Sequence, residues 1–97
     1  MVEGSSRSYI NDASVGKALS TYVKSERDKA KLSNQEICKR LELRFGVVQT
    51  PDNLKNKINR GNFGAQLLIM IMSVLEVDKI DINVINRLYE SVKTDEL

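Results

Sequence analysis

Apolar residues in this chain return at steps of three and four. Val15, Leu19, Tyr22 and Val23, with Ala18 and Ala30, follow that step, which gathers side chains on one side of an α-helix. The pattern predicts a first helix from about Asp12 to Ala30, with Lys17, Lys24, Arg27 and Lys31 on its wet side. In "LSNQEICKRLEL" Ser33 stands three residues before Glu36, the spacing of a capping box, in which hydroxyl and carboxylate each take a backbone N–H the helix start leaves unpaired. Ile37, Cys38 and Leu41 then form a short apolar stripe. The second helix is expected over residues 34–43, broken in "RFGVVQ" where Gly46 can take a positive φ.

Thr50 and Pro51 open a third helix and Gly61 closes it, a cap, a first position that needs no N–H, and a C-terminal stop. Residues 64–76, apolar nearly all round, predict a fourth helix at the centre of the core. Asp81 caps a fifth, with Ile82, Ile85, Leu88, Tyr89 and Val92 along one face. Residues 1–11, "MVEGSSRSYIN", carry no sustained period and read as a flexible N-terminal arm. No alternating strand pattern occurs. The expected fold class is all-α: a compact five-helix bundle, one domain over residues 12–97, with an extended turn between its second and third helices.

Composition agrees and adds little until charge is mapped. Ninety-seven residues, 41% apolar and 29% charged, suit one soluble domain. With 5% aromatic residues and no Trp the core must be mainly aliphatic, and one Pro with five Gly argues against an all-β chain. The net charge of +2 is unevenly spread: residues 13–60 hold 11 Lys or Arg against 5 Asp or Glu, residues 61–97 hold 3 against 6. A basic middle in a near-neutral chain points to a face for an anionic partner, although a solvated Lys-rich surface gives the same count.

The polar third helix, within "TPDNLKNKINRG", is the most specialised stretch. Leu54 and Ile58 share the face that would dock on the core, and Asn53, Asn56, Lys57 and Arg60 fall at the i, i+3, i+4, i+7 spacing of a second stripe. Arg and Lys donate to guanine O6 and N7, and Asn can pair with adenine N6 and N7, so these four are candidate base contacts in a DNA major groove. Asn is a mediocre helix former, so Asn53, Asn56, Asn59 and Asn62 run against local propensity. The bland reading is that Asn53 and Asn62 serve helix ends and that Lys57 and Arg60 answer the helix dipole. A capped helix beginning Gln35-Glu36, a Gly-containing turn and a helix rich in contact residues is nevertheless helix-turn-helix order. Cys38 reads as a small buried hydrophobe that lets the two helices approach.

Residues 34–77, "NQEICKRLELRFGVVQTPDNLKNKINRGNFGAQLLIMIMSVLEV", resemble lambda-repressor-like helix-turn-helix domains. They are closer still to a bacterial and phage family of unknown function with a Leu-x-Asn-Lys-Ile/Leu-x-Arg-Gly-x-Phe core, here Leu54, Asn56, Lys57, Ile58, Arg60, Gly61 and Phe63. The resemblance implies a compact bundle whose third helix enters the major groove, and Gln35 at the start of helix two as a phosphate contact. Thr50, with the backbone N–H groups behind it, is a further candidate. Lys39, Arg40 and Arg44 could extend the same strip. The link "RFGVVQT" is several residues longer than the tight turn of the repressors.

Enzyme chemistry finds no footing. There is no His and a single Cys, which removes the commonest general base and the usual zinc sets. "RGNFGAQ" is no phosphate loop, and Asp78, Asp81, Asp95 and Glu96 lack calcium-loop spacing. No catalytic residue, metal or cofactor is expected. The lone Cys38 and the lack of an evident secretory signal imply a cytoplasmic protein, and the apolar run at residues 65–75 is too short for a membrane span of roughly 20 residues. The expected function is sequence-specific binding of double-stranded DNA by a small transcriptional regulator, a homodimer through residues 81–93. The alternative is a phage-type protein-interaction module, an antirepressor or inhibitor, with the same fold.

Overall fold

A computed structural model describes residues 12–95, so the expected N-terminal arm at residues 1–11 lies outside the described residues. Five helices follow in order: α1 Ala13–Ala30, α2 Asn34–Phe45, α3 Pro51–Arg60, α4 Gly64–Val74 and α5 Ile82–Asp95. No strand occurs among the described residues, and the all-α bundle is as the periodicity implied.

The capping residues act as their chemistry dictates. Asp12 accepts the amides of Ser14 (2.8 Å) and Val15 (3.2 Å) at the start of α1. Ser33 and Glu36 form the reciprocal box, with Glu36 N donating to Ser33 Oγ at 3.1 Å and Ser33 N to Glu36 Oε1 at 3.3 Å. Thr50 Oγ1 takes the Asn53 amide at 3.1 Å and Asp81 Oδ1 takes that of Val84 at 3.1 Å. Left-handed residues follow four of the helices; after Lys31, Gly61 and Glu76 the next amide reaches back five residues, to Arg27, Lys57 and Met72.

Two boundaries differ from expectation. Helix α2 runs two residues beyond 43, through Phe45, because the left-handed cap is Gly46 itself (φ 70°). The link to α3 is thereby only residues 46–50. Helix α4 ends at Val74 rather than residue 76, since Glu76 turns left-handed (φ 60°).

The larger correction concerns the centre. Helix α4, the most apolar, packs chiefly on α2 and leaves Ile69 57% exposed. Helix α1 packs against both α3 and α5, and α2 against both α3 and α4. Ser14, Ala18 and Tyr22 step by four along one side of α1, and Gly16, Ser20 and Val23 along another, all buried. Small side chains let two helices approach one axis, which a hydropathy pattern does not register. Val15, expected in the stripe, is exposed. The core is aliphatic, as the composition demanded: Val23, Ile37, Leu41, Leu54, Ile58 and Ile71 are fully buried.

Candidate nucleic-acid interface

Helix α3 is held from beneath. Leu54 and Ile58 are fully buried, and its C-terminus lies backbone to backbone on α1. A Cβ added at Gly16 would stand 2.7 Å from the Arg60 carbonyl oxygen, and one added at Gly61 would collide with the Gly16 backbone. Gly61 also has φ 63°, a conformation costly for other residues. The two glycines set the spacing of α1 and α3. Gly61 lies in the quoted core motif; Gly16 escaped sequence reading, because a mid-helix glycine carries no signal of what it touches.

With its underside fixed, the outer side of α3 follows from helix geometry. Asn53, Asn56 and Arg60 are exposed. Lys57 is not on the same ridge: it is half-buried at the flank and, with Val47, Gln49, Phe63, Leu67 and Met70, lines an open depression of about 420 Å³ between α3 and α4. Gln49 Oε1 there is buried without a hydrogen-bond partner among the described residues. On a helix of about 100° per residue, Asn56 points directly away from the mean direction of Leu54 and Ile58, with Asp52 and Arg60 about 40° to either side. Asp52, which was not singled out from the sequence, is exposed on that ridge.

The candidate phosphate contacts divide. Gln35 and Lys39 are exposed on the outer side of α2, opposite buried Ile37 and Leu41. Thr50 is exposed; its oxygen is used as a cap, while its hydroxyl proton remains available to an acceptor. Arg40 and Arg44 have work inside the fold. Arg40 Nη1 donates to the Val74 carbonyl at 3.2 Å and lies 3.9 Å from Glu76 Oε2; Arg44 Nη1 donates to the Ser73 carbonyl at 3.3 Å. Both carbonyls lie at the end of α4, where intrahelical partners run out; Ser73 O also takes the Glu76 amide at 3.0 Å, so the two guanidinium groups add to the capping of α4. Arg44 also lies over the Phe45 ring, 5.2 Å from its centre. Arg27 Nη1 similarly ties the end of α1 to α2 through Asn34 Oδ1 at 3.0 Å.

The remaining chemistry is sparse. Cys38 is a buried free thiol whose pKa burial pushes above the ordinary range, so little thiolate forms near neutrality. Among the described residues no group of three or more Cys, Asp or Glu could hold a metal ion. No described helix is long and apolar enough to cross a membrane.

No curated protein and no solved structure matches the chain significantly. A family model matches residues 16–80, from the glycine under α3 to the residue before the α5 cap. That stretch is about two thirds of the sequence and contains the whole of α2, α3 and α4. The chain therefore belongs to the family described as Domain of unknown function (DUF6471).

Proposed function

We propose that this protein binds double-stranded DNA sequence-specifically, as a small transcriptional regulator with α3 in the major groove. One observation carries the reading: α3 is clamped through Leu54, Ile58 and Gly61 while Asn53, Asn56 and Arg60 stand exposed. A rigid helix with amides and a guanidinium outward is equipped to pair with adenine and guanine edges. The α2–link–α3 order is that of a helix-turn-helix, and Gln35, Lys39 and Thr50 are exposed on the two helix starts and the outer side of α2, suited to phosphate oxygens. Arg40 and Arg44 contribute mainly by holding α4. Helix-turn-helix proteins commonly bind two half-sites as dimers; the inner face of α5 is spent on α1, so a homodimer through this helix would use what points outward, Ile82 above all, at 59% exposure.

A salt titration on genomic and random duplexes tests the proposal. Log affinity should fall linearly with log salt as phosphate contacts release counterions. Asn56→Ala and Arg60→Ala should each cost about 1–3 kcal/mol on the preferred duplex, whereas Lys39→Ala should weaken all duplexes alike. Equal losses from all three would count against base reading.

A protein-interaction module is the second reading, and one observation favours it. Leu43, Val48 and Ile69 are 81%, 75% and 57% exposed, more apolar surface around α2 and α4 than a DNA contact needs. No measurable duplex binding at low salt would favour this reading.

A further inference from the structure

The ridge opposite the buried face of α3 is Asp52, Asn56 and Arg60, spaced four residues apart and all exposed. An acid at the front of a surface that would meet phosphates is electrostatically unfavourable, and among the described residues no cation pairs with Asp52. From the proposed DNA reading, on which this rests, we infer that Asp52 is a specificity-determining residue that selects cytosine.

The selection follows from donor and acceptor chemistry. An ionised carboxylate only accepts hydrogen bonds. In the major groove guanine offers two acceptors, thymine an acceptor and a methyl group, adenine an acceptor beside its donor, and cytosine the N4 donor. Facing guanine or thymine, Asp52 would bury its charge against like partial charges; facing cytosine it is satisfied. In recognition helices the N-terminal residues meet the base edges, and Asp52 lies in the first turn of α3. One helical step of four residues is about 6 Å, and base pairs rise about 3.4 Å, so Asp52 and Asn56 address pairs about two apart. The ridge then reads as acceptor for cytosine, amide for adenine and guanidinium for guanine. Lys57, turned to the flank, is left for the backbone.

The same acid also supports α3, since negative charge in a first turn meets the positive end of the helix dipole. A stability loss in a variant would therefore prove nothing, and the readout must be sequence preference. The experiment selects bound duplexes from a random pool with the full chain, as wild type, Asp52→Asn and Asp52→Ala, and sequences them. Wild type should enrich a motif with cytosine, or guanine on the opposite strand, at one position, favoured roughly ten-fold or more. Asp52→Ala should select the same motif with that one position flattened to under about two-fold, while random duplex binds several-fold tighter as repulsion is lifted. Asp52→Asn, which keeps the shape and gains donors, should move the position toward adenine. An unchanged motif in both variants overturns the assignment of Asp52 alone. Failure of the wild type to enrich any duplex overturns the DNA reading, and this inference with it.

Discussion

A methyl group at position 16 has nowhere to go, because the Arg60 carbonyl lies 2.7 Å from where its carbon would stand. Neither partner is the tip of a flexible side chain, so the helices must part. Gly16→Ala should destabilise the fold by about 1–3 kcal/mol, the usual cost of overpacking. Gly61→Ala combines a backbone collision with φ 63°, and the left-handed conformation alone costs about 1–2 kcal/mol for a residue with a Cβ, so its loss should be the larger. Chemical denaturation of both variants checks the order; equal and negligible losses would mean that α1 and α3 can shift freely. This contact was half legible: Gly61 reads as a helix stop, but its partner 45 positions earlier is joined to it only by packing.

At the level of the element, local signals did most of the work. Caps at Ser33, Thr50 and Asp81, Pro51 and the closing glycines act within a few residues, and all behave as their spacing implies. What those signals left open is which exposed cations have tasks at home. Lys39 and Arg40 are neighbours on α2, yet only Arg40 reaches the end of α4. Arg40→Ala should therefore lower the unfolding midpoint, with a loss of at most about 1 kcal/mol given its partial exposure, whereas Lys39→Ala should leave stability unchanged. Thermal unfolding separates the two, and equal midpoints would release Arg40 to the surface. A charge count cannot tell these residues apart, because the partners of Arg40 and Arg44 are backbone carbonyls about thirty residues away.

For the molecule as a whole, the basic α1–α3 segment and the acidic C-terminal part have different duties under the proposed function. The first would meet DNA, and the second would meet another copy of the chain. Ile82 contributes little to the monomer core at its exposure, so Ile82→Glu should convert a dimer to monomer without loss of helicity. Sedimentation with circular dichroism would show it, and an oligomer that survives the substitution would remove this part of α5 from the interface. Such a variant should also lose affinity for paired half-sites more than for a single one.

From sequence alone came the five helices, their caps, the aliphatic core and the outward polar character of α3, since each depends on residues within a turn or two of one another. Only the tertiary structure decided that α4 packs chiefly on α2 instead of forming the centre, that Lys57 is half-buried at the flank of α3, and that Arg40 and Arg44 serve a neighbouring helix. The reason is the same in each case. Periodicity reports which way a side chain points around its own axis, whereas the identity of what it meets depends on how two axes pack, and between α1 and α3 that distance is set by Gly16 and Gly61, which carry almost no hydrophobic signal.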